Sequence, residues 1–191
     1  MIHLQTSRLI IRDPLLTDLE NWHSLISNPK TMYYVQDIMT HSKDESLRNL
    51  EIATNEASSS NRTKYFLVIE DAKTGAFIGN IGYTILQTIP LGHLVEMGYF
   101  LSPEHQGQGY ATEAAAEVIR FAFEEGGVFR ITAGCLKENI SSEKVMIKCG
   151  LVKEAHFKSY IWHDGEIKDR VIYRLLKSEW EVIKASNESF L

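Results

Sequence analysis

Apolar residues recur along this chain in two rhythms, one with the period of a strand and one with the period of a helix. Leu4 to Arg12 alternates around Leu9, Ile10 and Ile11 and predicts a first strand. After Pro14, the residues Leu15, Leu19, Trp22, Leu25 and Ile26 return every three or four positions, which predicts a helix closed by Asn28-Pro29. Thr31 to Gln36 is short and aromatic, and Ser42 or Lys43 to about Ala57 predicts a second amphipathic helix on Leu47, Leu50 and Ile52. The polar patch from Ser58 to Arg62 is a loop, too short to link two domains.

Beyond that patch the texture becomes strand-like. Tyr65 to Ile69, Ala76 to Leu86 and Leu94 to Leu101, with a turn at Asp71 to Gly75, predict three strands in an antiparallel meander. The stretch SPEHQGQGYAT, from Ser102 to Thr112, then leads into a helix from about Gly109 to Glu125. Ala111, Ala114, Ala115, Val118, Ile119, Ala122 and Phe123 share one face of that helix, with Glu113, Glu117, Arg120 and Glu124 opposite. Gly126-Gly127 stops it, and Val128 to Leu136 forms a strand suited to parallel pairing with the strand ending at Leu101. Asn139 or Ser141 caps a short helix running to Cys149, and Gly150 takes the left-handed position after it. Two final strands, about Leu151 to Trp162 and Ile167 to Leu175, flank an Asp164-Gly165 hairpin turn. The order of elements predicts an α+β fold on one mixed sheet, and the 191 residues fit a single domain spanning positions 1–191.

Composition narrows the chemistry only slightly. Hydrophobic residues make up 44% and charged ones 24%, values of an ordinary soluble domain. Twenty Lys and Arg against 25 Asp and Glu leave a net charge of −5, which argues against a general nucleic-acid binder. No apolar run reaches the roughly 18 residues of a membrane span, and no signal peptide is visible, so the expectation is a cytoplasmic protein without a membrane partner. The two cysteines, Cys135 and Cys149, make neither a disulfide framework nor a metal cluster. The scattered histidines, among them His23, His41 and His105, give no catalytic triad and no metal site.

The loop before the alanine-rich helix is the informative feature. The first amides of a helix lack internal partners and carry partial positive charge, and glycines let a phosphate approach them closely. A P-loop is excluded because no lysine follows Gly109, and a dinucleotide fingerprint is excluded because Thr112 stands where its third glycine belongs. Gln106, Gly109 and Ala111 fit Gln-x-x-Gly-x-Ala, which resembles the acyl-CoA pyrophosphate loop of the GNAT superfamily of N-acetyltransferases. Thr6-Ser-Arg-Leu-Ile-Ile-Arg12, Gly79-Asn-Ile-Gly82 and Glu96-Met-Gly-Tyr-Phe-Leu101 resemble successive segments of its RimJ/RimL-type branch. Asn139-Ile-Ser-Ser142 with Gly150-Leu151 resembles the branch's Asn-x-x-Ser and Gly-Phe segment, with Leu in place of Phe. Asp164-Gly165, Asp169, Tyr173 and Glu179-Trp180 match its closing hairpin and tail.

This resemblance, which covers nearly the whole chain in order, implies a mostly antiparallel central sheet flanked by helices, with a splayed cleft for acetyl-CoA. It implies that Tyr99, Phe100 and Leu101 pair with the pantetheine arm, and that Gln106, Gly107, Gln108, Gly109, Tyr110, Ala111 and Thr112 hold the pyrophosphate. Glu96 is the candidate base, and Ser142 the candidate donor to the departing thiolate, with Ser141 as the neighbour it is confused with. Asn139 is assigned to the pantetheine arm or an active-site water, and Tyr33, Tyr34, Tyr160, Trp162 and Asp169 to the amine acceptor. The acceptor is a protein N-terminus or a small amine, no metal is required, and a homodimer is expected. Two other readings stay open on sequence: an inactive acyl-CoA-binding sensor or scaffold with the same fold, and an ATP-binding protein.

Overall fold

The computed structural model, which describes residues 1–188, contains eight strands and six α-helices among those residues. The strands hydrogen-bond in the order β1-β2-β3-β4-β5-β6-β8-β7, and β5 with β6 is a parallel pair. The described residues pack as two compact units, one made of residues 1–84 with 98–118 and one of 85–97 with 119–188. No described helix is long and apolar enough to cross a membrane.

The first unit opens with β1 (His3–Gln5) and β2 (Leu9–Arg12), an antiparallel hairpin where the alternation predicts one strand. Thr6 causes the break: its hydroxyl accepts the amide of Leu9 at 3.0 Å while its own amide donates to the Leu9 carbonyl at 2.9 Å. β3 (Lys64–Asp71) pairs with β2 and with β4 (Phe77–Ile89), both antiparallel. Asp18 explains why the first helix starts later than its apolar spacing suggests. Its carboxylate accepts the Leu15 amide at 2.7 Å and two Arg12 nitrogens at 2.8 and 2.9 Å, so a short 3-10 turn precedes α1 (Leu19–Ile26) and leaves Leu15 and Leu16 exposed. Asn28-Pro29 does end α1, but it also begins α2 (Pro29–Met32), because the Asn28 side chain accepts the amides of Lys30 and Thr31.

Ser42 caps α3 (Lys43–Ser58), whose inner face is Ser46, Leu50 and Ala53. Ile52, expected inside, is 54% exposed because it lies two residues from Leu50, about 200° around the helix. Trp22, Leu25, Ile26, Met32, Leu50, Ala53 and Val68 form the buried cluster under these helices, with Phe66, Phe77 and Phe100 packed against it. Two glycines of β4 are required by contact. A Cβ at Gly79 would lie 2.4 Å from the Phe100 carbonyl oxygen, and one at Gly82 would lie 1.5 Å from that of Tyr65.

The second unit is built around β6 (Val128–Leu136), parallel to β5 (Gly92–Leu101) at residues 93–96 and antiparallel to β8 (Glu166–Leu176). β7 (Val152–His163) joins β8 through Asp164 and Gly165 at φ 50° and 78°, the left-handed pair of a tight hairpin turn. The later part of α4 (Tyr110–Glu124) buries Ile119, Ala122 and Phe123, and the Phe123 ring lies 5.5 Å from that of Trp180 on α6 (Lys177–Glu188).

These contacts predict opposite outcomes for two glycines. Gly82→Ala forces backbone apart and is expected to cost at least about 3 kcal/mol. Gly98→Ala meets nothing within 4 Å and is expected to change stability by less than about 0.5 kcal/mol. Urea unfolding of the two variants beside the parent measures both.

Candidate active site

The glycine loop is held at both ends in the first unit. Ser102 anchors its start, with its amide and its hydroxyl each 3.0 Å from the Ile78 carbonyl. A 3-10 turn over Pro103–His105 follows, and Gln106 donates back to the Leu101 carbonyl at 3.0 Å. Gln108 donates to the Glu104 carbonyl at 2.7 Å. Thus both glutamine side chains of the motif shape the loop. Gly107 and Gly109 take φ of 74° and 83°, a region that side-chain-bearing residues avoid. A Cβ at Gly107 would meet nothing within 4 Å, so the backbone angle, and not crowding, requires glycine there. α4 starts at Tyr110, so the amides of Tyr110, Ala111 and Thr112 belong to a first turn without intrahelical acceptors. Tyr99, Phe100 and Leu101 finish β5 immediately upstream, in the same unit.

The helical period puts Glu113 on the face of α4 opposite the alanines, and no loop motif involves Arg8. In the structure Glu113 accepts from the Thr6 hydroxyl at 2.6 Å, the Ser7 hydroxyl at 3.1 Å, and the Arg8 amide and Nε at 3.0 and 2.6 Å. Partial burial opposes its charge, but these bonds outweigh that and hold the carboxyl below the usual range. The signal was the polar run Thr6-Ser7-Arg8 at a break between two apolar stretches.

In the second unit, Glu96 on β5 faces Arg170 of β8, with Nη2 at 3.3 Å from Oε1, and its side chain is 46% exposed. Asn139 is the cap of α5 (Ile140–Lys148): its Oδ1 accepts the Ser142 amide at 3.1 Å and the Ser141 hydroxyl at 2.8 Å. Ser142 is half-buried and shares a hydrogen bond with Cys135, whose thiol is pushed up by burial against that bond. Burial also lifts Cys149, to about 11, so both cysteines are protonated thiols at neutral pH.

Next to Ser142, the largely buried Glu143 binds Lys137 at 2.8 Å, Tyr173 at 2.6 Å and Lys153 at 2.9 Å, which lower its carboxyl to about 2. Asp169 accepts the Ser159 amide at 2.8 Å and sits 2.7 Å from His156 Nε2, bonds that hold it below the usual carboxylate range. It closes a kink in β7 at which Ser159 has φ 48° and the β7–β8 register shifts. Tyr160 lies within that kink and Trp162 just after it, exposed by 60% and 73%.

Of the residues assigned to the acceptor, Tyr33 and Tyr34 belong to the first unit, with rings edge-to-face at 4.9 Å. Two buried polar atoms in that unit went unnoticed in the sequence. Asn80 Oδ1 and Thr31 Oγ1 have no hydrogen-bond partner among the described residues, and each residue is less than a tenth exposed. Asn80 pairs with Val68, so it faces the side of the sheet covered by α1–α3. No group of three or more His, Cys, Asp or Glu among the described residues is arranged to hold a metal.

Residues 8–152 match the family profile described as "Acetyltransferase (GNAT) domain". The chain belongs to the GNAT acetyltransferase family. Among curated proteins it is similar to the uncharacterized N-acetyltransferase YnaD of Bacillus subtilis, 29% identical over 94% of this chain and 99% of the relative. A stretch covering 46% of this chain and 45% of the relative is 30% identical to the ribosomal protein uS5-alanine N-acetyltransferase of Escherichia coli. Among solved structures, the spermidine N-acetyltransferase of Vibrio cholerae, in complex with CoA and spermine, matches with TM-score 0.79 and 26% identity over 92% of this chain and 99% of that one. The ribosomal-protein-S5-alanine acetyltransferase of Vibrio fischeri has the same fold, with TM-score 0.80 and 19% identity over 94% and 99% of the two chains. This GNAT protein is therefore an acetyl-CoA-dependent N-acetyltransferase, consistent with the RimJ/RimL-type branch.

Glu143 gives this acetyltransferase a pH-dependent contribution to stability. Because its carboxyl is depressed in the fold, the contribution is complete above the ordinary carboxylate range and disappears as pH falls toward about 2. Glu143→Gln is expected to lower stability at pH 7 by about 1–3 kcal/mol, with the difference from the parent shrinking below about pH 4. Denaturant unfolding across pH checks this.

Proposed function

We propose that the protein transfers the acetyl group of acetyl-CoA directly to a primary amine, either the α-amine of a protein N-terminus or a small-molecule amine, with both substrates bound together. The observation that carries the reading is the pair of left-handed glycines at the mouth of α4 with open space before Gly107. In this reading the amides of Gly107 to Ala111 hold the diphosphate, and the backbone of Tyr99 to Leu101 binds the pantetheine arm as an added strand would. Gln106 and Gln108 fix the loop, and Thr112 lies in the turn that presents it. Bound acetyl-CoA supplies the activated acyl group.

An alkyl amine with pKa near ~10 is charged at neutral pH and must lose a proton before it attacks. Glu96 is the base in this proposal, and Arg170 orients its carboxylate. Ser142 donates toward the departing sulfur from a position set by the Asn139 cap and Cys135, while Ser141 is committed to Asn139. The residues this reading assigns to the acceptor are Tyr33, Tyr34, Tyr160, Trp162 and Asp169. The relatives support both acceptor classes, one acting on ribosomal protein uS5 and one on spermidine.

Three measurements test this. Gly109→Asp puts a Cβ and a negative charge on a backbone at φ 83°, and CoA affinity by calorimetry should fall at least tenfold, ~1.4 kcal/mol or more. Glu96→Gln should flatten the acidic limb of the pH–rate profile and leave CoA affinity unchanged; a profile identical to the parent removes Glu96 from the base role. Release of free CoA thiol with a panel of amines, alongside mass spectrometry of protein N-termini in a deletion strain, identifies the acceptor. CoA binding without turnover on every amine would make the protein a scaffold.

A further inference from the structure

Arg8 sits at the turn of the first hairpin, outside the Gln-x-x-Gly-x-Ala motif, yet three of its contacts are with the loop or the helix behind it. Nε binds Glu113 at 2.6 Å, Nη1 donates to the Gln108 carbonyl at 3.1 Å, and the guanidinium lies 4.6 Å from the centre of the Tyr110 ring. The remaining nitrogen, Nη2, lies 3.4 Å from where a Cβ on Gly109 would stand. The side chain is 43% exposed. Two of its nitrogens are thus committed to holding the fork still, and the third points along the glycine that shapes the anion cradle. Without this cation, the Glu113 carboxylate would put negative charge in the first turn of α4, where an incoming anion must approach.

We propose that Arg8 is a phosphate-binding residue of the coenzyme site: its immobilised fork donates Nη2 to a diphosphate oxygen and cancels the charge of Glu113. The inference rests on the assignment of the glycine loop to CoA. It calls for the planar, forked cation of arginine; a lysine keeps the charge and loses the simultaneous grip on Glu113, Gln108 and the anion.

The test compares Arg8→Met and Arg8→Lys with the parent protein for binding of CoA, of dephospho-CoA, which lacks the 3′-phosphate, and of pantetheine, which lacks all phosphates. Calorimetry serves for the first two and ligand-observed NMR for the third. Arg8→Met is expected to weaken CoA and dephospho-CoA by the same factor, roughly tenfold, and to leave pantetheine unchanged. Arg8→Lys, which keeps the stem and the charge and so also serves if the methionine variant fails to fold, should lose less than Arg8→Met but remain weaker than the parent. Equal weakening of pantetheine would show that Arg8 only shapes the loop, and a loss confined to CoA would place it on the 3′-phosphate; unchanged affinity for all three would remove it from the site. Each of those results overturns the proposal. A parent protein that binds no CoA would instead overturn the loop assignment itself.

Discussion

The Glu113 carboxylate is the tie on which the glycine loop depends. It gathers four donors from Thr6, Ser7 and Arg8 onto the first turn of α4, and so couples the turn of the first hairpin to the helix that begins at the glycine loop. Glycines at φ 74° and 83° have wide conformational freedom, and two of them in four residues would wander without external restraint. The restraint comes from outside the motif: Arg8 on the Gln108 carbonyl, Gln106 on Leu101 and Ser102 on Ile78. Behind the loop, Gly79 lets the backbone of β4 approach the end of β5 to a distance that no side chain would allow. A flexible sequence is thereby given one shape before any ligand arrives, which lowers the ordering cost of binding.

Much of this architecture was legible in the chain. The alanine stripe of α4, the parallel β5–β6 pair, the Asp-Gly hairpin and the Gly150 helix stop all follow from local rules and appear where those rules put them. What escaped the pattern was decided by polar side chains acting at a distance. Thr6 split an alternating run into two strands, and Asp18, clamped by Arg12, delayed α1 past Leu15 and Leu16. Ile52 looked apolar in a helix whose inner stripe runs through Ser46 instead, and Ser46 hydrogen-bonds His23 and Thr40. Hydropathy alone does not reveal that a serine is the buried member.

The candidate chemistry was readable to a different depth in each unit. The roles proposed for Tyr99 to Thr112 rest on the main chain, so they follow from glycine placement and a helix start. The groups in the second unit depend on partners remote in sequence: Glu96 on Arg170, Ser142 on Cys135, Glu143 on Lys137, Lys153 and Tyr173. The last network sits one residue beyond Ser142 and fixes the start of α5 to β7, to β8 and to the residue that follows β6, so the position of the serine is set by ion pairing as well as by its cap. Asn80 and Thr31 were invisible for a related reason, since nothing in a sequence distinguishes a buried amide with a partner from one without.

The kink that Asp169 imposes on β7 has a consequence for the protein in a crowded solution. β7 is an edge strand of the sheet, and it carries Phe157, Tyr160 and Trp162 on exposed positions. A straight ribbon with those side chains would be a template for other chains to zip onto, the first step of fibrillar growth. The left-handed Ser159 and the slipped register interrupt the row of outward-facing amides, and Lys158 adds charge along the same rim. The same carboxylate that bends the strand thus guards the sheet's open border against self-assembly.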